Sequence, residues 1–382
     1  MRLFIYIFIL LIQITQTHAA LSFLTISDIH YGENNTPGDG NDTDKVLLDS
    51  SLNKFKLLAK NVDFILTLGD FPTHRIFNTL KTKDYIQTVF QGLYKANSFA
   101  KPMFYIAGNN DSIQGNYHPF SYKGESPLKY AKNWQGACVN CEGLIIDRSH
   151  MEDQGYYSSF VIPNNKDIVL IVLNATQFTK TPWFLNAYPN QKEDALAQFK
   201  WLNKQLETNT AKQLLIAMHE PPGKNYKDKN IWHEEYIKQF ISLLNNSYKN
   251  YGEITLLSSH THMDDIRKIK LGNGNIIFDY ATPAISRIHH NNPGMKIFHL
   301  NDEMQIKDYT TYYTQNDNYW GDLHYNAIKG KSSVFPNCHN KSLANCLNNL
   351  SDDAVCKNLS KYYGVKSPRV NSSVCKFTYP VN

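Results

Sequence analysis

Residues 21–30, LSFLTISDIH, form a short apolar run followed at once by polar side chains, and this arrangement recurs along the chain. It returns at residues 64–74, FILTLGDFPTH, and at residues 103–111, MFYIAGNND. Short apolar runs bounded by polar residues are typical of buried strands. The predicted strands are Leu21–Ile26, Phe64–Leu68, Met103–Ala107, Ile168–Leu173, Leu214–Met218 and Ile254–Leu257.

Segments of helical length separate these strands. In the third such segment, four apolar residues recur at helical spacing and give the segment one apolar face: Leu196, Phe199, Leu202 and Leu206. Strands that alternate with helices indicate an α/β layered architecture. The predicted helices are Lys45–Lys60, Leu80–Asn97, Gln191–Glu207 and Trp232–Tyr248.

Composition divides the chain into three predicted parts. Residues 1–19 precede an α/β domain at residues 20–309, which ends with the β-like pieces Asn275–Ala281 and Gly294–His299. Residues 310–382 are rich in Tyr, Asn and Cys and lack strong apolar strands. They are therefore predicted to form a small helical region that disulfides hold together.

The overall composition excludes two broad classes of protein. With 42% hydrophobic residues in a chain of 382, the sequence is too apolar for a wholly disordered protein. The formal net charge is only +5, and no long Lys/Arg run appears. Nucleic-acid binding is therefore not expected as the main role.

The N-terminus has the pattern of an export signal. Arg2 precedes the apolar run Leu3–Ile12, and the small residues Ala19 and Ala20 end the segment. This pattern predicts a signal peptide at residues 1–19, with an uncleaved anchor as the alternative, because the apolar run is about half as long as a spanning helix. No later stretch is predicted to span a bilayer. The mature protein is therefore expected to be secreted, periplasmic or lumenal.

Six cysteines agree with an oxidising compartment and predict three disulfides. Cys138 and Cys141 form a close pair, which predicts a local disulfide, with a redox motif as the alternative. The other four are expected to pair in sequence order, with a zinc site as the alternative: Cys338, Cys346, Cys356 and Cys375.

Sequons for N-glycosylation, which apply in a eukaryotic source, begin at Asn34, Asn41, Asn174, Asn245, Asn340, Asn349, Asn358 and Asn371.

Five clusters of polar residues lie where predicted strands end. They are Ser27–His30, Gly69–His74, Gly108–Asp111, His219–Gly223 and His260–His262. Each cluster alone has an ordinary structural explanation, such as a turn or a helix cap. Ligand sites in α/β sheets lie outside the carboxyl ends of the strands, however, so all five clusters are expected to converge. Their oxygen and nitrogen donors suit Zn, Mn or Fe.

This ordered set resembles the calcineurin-like metallophosphoesterases. Their pattern runs Asp-x-His, Gly-Asp, Gly-Asn-His-Asp/Glu, a lone His and Gly-His-x-His. Within them the sequence is most similar to the acid sphingomyelinase-like phosphodiesterases, and the resemblance covers about residues 22–325. The segments that favour this branch are GDFPTH at 69–74, HEPPG at 219–223, and TPAIS at 282–286 leading to NNPG at 291–294.

The resemblance implies a fold, a cofactor and a ligand set. The implied fold is a four-layer α/β/β/α sandwich with a small helical, disulfide-bearing C-terminal tail. The implied cofactor is two divalent ions, with zinc expected, that share a carboxylate and activate a hydroxide for attack at phosphorus. The implied ligands are Asp28, His30 and His262 for one ion, Asn109, His219 and His260 for the other, and Asp70 between them.

The chain departs from the family pattern at Asn110, where the family has a histidine. An amide donates a hydrogen bond but does not deliver a proton. Three hypotheses follow: His74 is the general acid, as the matching histidine is in the similar branch; His118 reaches in from the following loop; or the protein only binds phosphate esters. We favour His74, and we keep Asn110 and His118 as candidate substrate-binding residues. The similar vacuolar endopolyphosphatases also have Asn at this position.

The expected function is that of an exported dinuclear-metal phosphodiesterase that hydrolyses phosphodiester or phosphoanhydride bonds of nucleotides or sphingomyelin-like substrates. Endopolyphosphatase or acid phosphatase activity is the alternative, and a non-catalytic phosphate-ester binder is the second. Few residues separate the signal from the first strand, so no saposin-like module is expected, which favours soluble substrates.

Three further polar residues follow a predicted strand: Arg287, His289 and His290. Their position is equally consistent with substrate contact and with a solvated loop. A monomer is expected.

Overall fold

The computed structural model describes residues 21–74, 79–182, 185–225, 229–330, 332–338, 342–370 and 378–379. The predicted signal peptide at residues 1–19 lies outside the described residues. Within the described ranges, no helix is long and apolar enough to cross a membrane.

The described strands and helices alternate through most of the chain. The strands are β1 (Ser22–Ile26), β2 (Phe64–Thr67), β3 (Met103–Tyr105), β4 (Cys138–Val139), β5 (Ile145–Asp147), β6 (Tyr157–Ile162), β7 (Asn165–Val172), β8 (Ala211–Ala217), β9 (Tyr251–Ser258), β10 (Ile266–Lys270), β11 (Ile276–Ala281), β12 (Gly294–Leu300), β13 (Ile306–Tyr313), β14 (His324–Asn326) and β15 (Thr378–Tyr379). The helices are α1 (Lys45–Ala59), α2 (Thr79–Ala96), α3 (Gln191–Thr208), α4 (Glu234–Ser247), α5 (Leu343–Asn348) and α6 (Asp352–Leu359).

These strands form two mixed sheets. The first has the order β14-β13-β12-β1-β2-β3-β4, and the second has the order β15-β10-β11-β9-β8-β7-β6-β5. Strands β1, β2 and β3 are parallel to one another, as are β7, β8, β9 and β11. The carboxyl ends of each parallel set therefore lie at one edge of their sheet.

Alternation of side chains along β7 shows how the layers stack. Leu170 and Val172 belong to the core that also contains the first sheet and residues of α1 and α2, whereas Val169 and Ile171 belong to a separate core with α3 and α4. Successive side chains of a strand point to opposite faces. The second sheet is therefore buried on both faces, between the first sheet and one helix pair, in the predicted four-layer sandwich.

All six predicted strands and all four predicted helices are present with small shifts at their ends, which confirms the α/β fold. The boundary predicted at residue 310 falls inside β13, so the strands of the first sheet continue past that residue. Strand β13 consists largely of Tyr and Thr, which form strands without a run of aliphatic residues. The helices of the C-terminal region begin only at Leu343.

Disulfides confirm part of the cysteine prediction. Cys138 pairs with Cys141, and Cys338 pairs with Cys346. Cys356 is also disulfide-bonded, and the predicted partner Cys375 lies outside the described residues.

One predicted glycosylation position is buried in the fold. The Asn174 side chain is only 3% exposed, and its Nδ2 donates a hydrogen bond of 2.8 Å to the carbonyl of Gln154. This sequon is therefore closed to glycosylation once the chain has folded.

A fully buried ion pair ties β12 to the segment after β9. Lys296 Nζ donates to Asp264 Oδ1 at 2.8 Å and to the Ala281 carbonyl at 2.6 Å. Asp264 Oδ2 accepts from Thr311 Oγ1 and from Tyr325 Oη, each at 2.8 Å. Both charges are desolvated, so their mutual contact and these additional bonds are needed to stabilise them.

We expect Lys296→Met to lower the free energy of unfolding by about 3–5 kcal/mol, because it leaves the Asp264 carboxylate buried without its cation. The matched control is Lys45→Met, which breaks the exposed pair with Asp49 and should cost less than about 1 kcal/mol. Urea unfolding followed by circular dichroism measures both. Equal losses in the two variants would contradict the prediction.

Candidate metal centre

The structure places the predicted ligands at strand ends, as the sequence analysis expected. Asp28 and His30 follow β1, Asp70 follows β2, Asn109 follows β3, His219 follows β8, and His260 and His262 follow β9. Contacts between loops join the two sheets here. His219 Nδ1 lies 2.5 Å from the Leu68 carbonyl, and the Ser259 hydroxyl donates to Asp28 Oδ2. One site therefore collects side chains from both sheets.

Five of these residues adopt a left-handed backbone conformation. This region is uncommon for residues other than glycine, and strain of this kind clusters at functional sites. The φ angles are 45° for Asp28, 48° for His30, 56° for Asp70, 64° for His260 and 66° for His262. The surrounding structure therefore holds the backbone of these positions in unfavourable conformations that aim their side chains at one point.

Glycines allow the loops after β2 and β3 to approach closely. A Cβ atom at Gly108 would lie 2.2 Å from Asp70 Oδ1, and one at Gly69 would lie 2.4 Å from the Gly108 nitrogen. Asp111 fastens the same loops, since its carboxylate accepts from the backbone nitrogens of Asp70 at 2.9 Å, Gly108 at 2.8 Å and Phe71 at 2.8 Å. Burial and the neighbouring Asp70 charge raise the pKa of Asp111 to about 6.

The donor atoms themselves lie within metal-binding range of one another. Asp28 Oδ1 is 3.7 Å from His30 Nε2, 3.6 Å from His219 Nε2 and 3.4 Å from His262 Nε2. Asp70 Oδ2 is 3.5 Å from His30 Nε2 and 3.1 Å from His219 Nε2. In the described part of the chain, donor atoms within 4.8 Å of one another form three groups: Asp28, His30 and Asp70; Asp70, His219 and His260; and His30, His74 and His262. Asp70 and His30 each belong to two of these groups.

Several of these buried donor atoms have no hydrogen-bond partner among the described residues. The atoms are Asp28 Oδ1, His30 Nε2, Asn109 Oδ1, His219 Nε2 and His262 Nδ1. Leaving a buried polar atom unpaired costs about 1–3 kcal/mol, so such a set needs another occupant. The second ring nitrogen of His30 contacts the Pro72 carbonyl at 3.0 Å, and that of His219 contacts Leu68. This arrangement orients an imidazole as in metal-ligating histidines, so the residues fit divalent cations.

The electrostatics of the cluster favour positive charge. Burial alone raises the pKa of Asp28 and Asp70, but the neighbouring imidazoles of His219 and His30 outweigh it and hold both pKa values well below the usual range. Burial lowers the pKa of His30, but the carboxylates outweigh it and raise the value to about 9. Burial, and then the His219 charge, lower the pKa of His260 to about 3. His260 is therefore neutral and keeps a lone pair for a cation.

His74 lies at the edge of this cluster. Its ring stacks on His30 with centroids 3.8 Å apart, and its side chain is 31% exposed. Its Nδ1 lies 3.0 Å from Asp42 Oδ1, which also accepts from the Ser286 hydroxyl at 2.9 Å. Burial raises the pKa of Asp42, but contact with His74 outweighs it and holds that pKa far below the usual range. Asp42 is therefore an ionised carboxylate that orients His74.

Sequence reasoning missed Asp42 because it lies in a loop, within a sequon, and outside every motif of the resemblance. The only indication in the sequence is that Asp42 follows closely after the first polar cluster, Ser27–His30. The adjoining Thr73 hydroxyl and His74 nitrogen both donate to Asp42 Oδ2, at 2.8 and 2.9 Å. The GDFPTH segment thus folds around this carboxylate.

The two candidate substrate-binding residues have different positions. Asn110 lines the central cavity, and its backbone nitrogen and Nδ2 each donate to the Asp70 carboxylate at 2.8 Å. His118 is exposed and is not among the described residues that line the cavity, and its contact with substrate stays a prediction. Tyr117 has a φ of 59° and donates from its nitrogen to the Asn109 carbonyl at 2.8 Å. This turn buries Tyr117 and directs the next residue outward.

A cavity of about 850 Å³ opens over the cluster. Its floor includes Asp70, Asn109, His260 and His262. The loop 288–290 lines it, which places His289 and His290 there, whereas Arg287 is paired with Asp317 at 2.6 Å and does not line it. Other lining residues are Asn116, Tyr117, Pro182, Asn225, Thr261, Met263, Tyr363, Arg369 and Val370. Such a concave, polar-floored cavity over clustered donors is a typical small-molecule site.

Comparisons with known proteins agree with this geometry. A curated relative from Dictyostelium discoideum, named Sphingomyelinase phosphodiesterase D, is 23% identical over 288 residues, which cover 72% of this chain and 61% of the relative. The chain thus matches less than two thirds of that protein's length. The crystal structure of a dimetal phosphatase from Danio rerio is similar with a TM-score of 0.50 and 13% identity, covering 77% of this chain and 96% of that one. This likeness shows a common fold.

Residues 21–264, well over half of the chain, match the family model described as Calcineurin-like phosphoesterase. The matched range contains all five polar clusters and the whole set of converging His and Asp donors. The chain therefore belongs to the calcineurin-like phosphoesterase family and is a metallophosphoesterase with a buried His/Asp cluster.

Proposed function

We propose that this metallophosphoesterase hydrolyses phosphodiester or phosphoanhydride bonds with two divalent ions, preferably zinc. The observation that supports it most is the set of buried donor atoms without hydrogen-bond partners on five predicted ligands. In the proposed assignment Asp28, His30 and His262 hold one ion, Asn109, His219 and His260 hold the other, and Asp70 lies between them. Asp70 belongs to one donor group with Asp28 and His30 and to another with His219 and His260, so its carboxylate lies within reach of both proposed ligand sets.

Two such ions, when bound, lower the pKa of water and neutralise phosphoryl oxygens. The protein's own residues supply the rest of the proposed reaction. Asn110 holds the Asp70 carboxylate through two hydrogen bonds and so fixes the centre of the donor set. Water adds at phosphorus, the bond from phosphorus to the leaving oxygen breaks, and that oxygen takes a proton.

His74 is the proposed donor of that proton. The Asp42 carboxylate contacts Nδ1 of the His74 ring, so Nε2 is the nitrogen that delivers the proton to the leaving oxygen. The neutral Asn110 amide cannot replace it. Asp42 acts as a positioning residue, since it contacts His74 and is itself held by Thr73 and Ser286.

We also propose that the protein acts outside the cytosol. The Cys138–Cys141 and Cys338–Cys346 disulfides support this proposal, because disulfides persist in oxidising compartments.

Asp70→Asn tests the shared ligand. We expect wild-type protein, measured by plasma mass spectrometry, to bind about two divalent ions per chain, as two-metal sites do. The variant should bind one ion or fewer and should lose more than about 100-fold in kcat/KM for bis-p-nitrophenyl phosphate. This loss is larger than the loss of about 10- to 100-fold that follows when a residue that only supports a metal ligand is changed. The exposed Asp302→Asn is the matched control and should change neither quantity.

Two results would contradict the proposal in different ways. Full metal content and full activity in Asp70→Asn would show that Asp70 is not the shared ligand. Wild-type protein with two ions bound but no turnover of bis-p-nitrophenyl phosphate, ATP, sphingomyelin or polyphosphate would indicate a binding protein. The assays should span about pH 4 to pH 8, a range that brackets the pKa of an unperturbed histidine.

His74→Ala tests the proton donor. The p-nitrophenyl and phenyl esters of thymidine 5′-monophosphate share a transferred group and differ in how much protonation the leaving oxygen needs. We expect a loss of about 100- to 10,000-fold in kcat for the phenyl ester and a much smaller loss for the p-nitrophenyl ester. Asp42→Asn should show the same selectivity with a smaller loss. His118→Ala tests the alternative donor and should leave both esters unchanged, and equal losses on both esters in His74→Ala would refute the assignment.

A further inference from the structure

The C-terminal region supplies part of the cavity over the proposed metal site. Tyr363, Arg369 and Val370 line it together with the loop 288–290. These residues lie beyond the range that matches the family model, which ends at residue 264. Tyr363, Arg369 and Val370 form a wall, which we call the C-terminal wall, outside that matched range.

Hydrogen bonds fasten the C-terminal wall to the loops around the donors. The Asp264 nitrogen donates to the Tyr363 carbonyl at 2.9 Å, and Asn292 Nδ2 donates to the Val365 carbonyl at 2.8 Å. The Ser367 hydroxyl donates to the His290 carbonyl at 2.5 Å. Since Asp264 also forms the buried pair with Lys296, the wall is attached to a rigid part of the fold.

The loop 288–290, to which the wall is fastened, lies on the same side of the site as His74. The ring of His289 is 4.6 Å from that of His262, and the ring of His262 is 5.9 Å from that of His74, measured between centroids. His74 and Arg369 both line the cavity, so a leaving group that takes its proton from His74 departs within the cavity that this wall bounds.

The C-terminal wall carries a permanent cation. Arg369 is 66% exposed, and its Nη1 pairs with Asp39, whose other carboxylate oxygen lies 3.3 Å from His290 Nδ1. A guanidinium has five N–H donors in a planar fork that matches phosphate geometry. Asp39 holds Arg369 at the rim of the cavity while most of its side chain stays open to solvent. By contrast, the lining residues from other loops add no formal charge to the cavity wall: Asn116, Tyr117, Pro182 and Asn225.

We propose that Arg369 is a substrate-selecting residue and that the C-terminal wall is an anion subsite for the leaving group. The inference rests on the proposed function and deepens it. Substrates whose leaving group is itself a phosphate gain a charge-assisted contact there, whereas uncharged leaving groups do not. In that reaction water adds to one phosphorus, the P–O–P bond breaks, and the departing phosphate oxygen takes the proton from His74. Nucleoside polyphosphates and inorganic polyphosphate share this chemistry.

The test compares Arg369→Ala with Lys366→Ala on three substrates under one metal concentration. Lys366 is an exposed cation three residues earlier that packs over the Tyr362 ring and does not line the cavity, so the control removes the same charge. The substrates are ATP, inorganic tripolyphosphate and the p-nitrophenyl ester of thymidine 5′-monophosphate. Thermal unfolding of each variant confirms that it is folded.

We expect Arg369→Ala to lose about 10- to 100-fold in kcat/KM for the phosphoanhydrides, the effect of removing a hydrogen bond to a charged group, and less than about twofold for the nitrophenyl ester. Arg369→Lys should recover part of the loss, and Lys366→Ala should match wild type. A loss on ATP alone would identify nucleoside polyphosphates as the ligands of the subsite. A loss on both ATP and tripolyphosphate would show that the subsite also binds inorganic polyphosphate.

Equal losses on all three substrates, or no loss on any, would overturn the subsite. Wild-type protein that hydrolyses the nitrophenyl ester but neither phosphoanhydride would also overturn it and would leave the proposed function standing. Wild-type protein that binds two ions but hydrolyses none of the three, nor bis-p-nitrophenyl phosphate or sphingomyelin, would instead overturn the proposed function.

Discussion

Two carboxylates, Asp28 and Asp70, are buried among imidazoles where the sheets meet, and the rest of the site depends on this arrangement. Desolvated charges and unpaired donor atoms are costly, so they persist only where the fold holds them against relaxation. The left-handed backbone angles at the strand ends and the close approach of Gly69 and Gly108 serve that purpose. Divalent cations would convert these unfavourable features into ligand bonds.

Supporting contacts extend outward from this centre. Asp111 clamps the loops after β2 and β3 through three backbone nitrogens, and the Lys296–Asp264 pair anchors the segment after β9. The C-terminal region is fastened to the same segment through Tyr363. Rigid strands thus position the donors, while loops from distant parts of the chain shape the cavity and its selectivity.

The local sequence pattern was sufficient to predict where the strands end, because an apolar run followed by Asp, His or Asn can be recognised from neighbouring residues alone. It was insufficient to predict the positions of residues that tertiary packing brings to the site. Asp42 meets His74 across thirty-two positions of chain, and Arg369 reaches the cavity from the opposite end of the sequence. The exposed position of His118 was not evident from the sequence, which does not reveal the positive φ of the neighbouring Tyr117. Strand β13 was missed since its Tyr and Thr residues resemble a polar loop.

The central claim is that two divalent ions flank Asp70 between the two sheets. Anomalous X-ray diffraction from crystals of metal-loaded protein, measured above and below the metal absorption edge, tests it most directly. The account predicts two anomalous peaks about 3.5–4 Å apart with the Asp70 carboxylate between them. A single peak, or peaks away from Asp70, would contradict it.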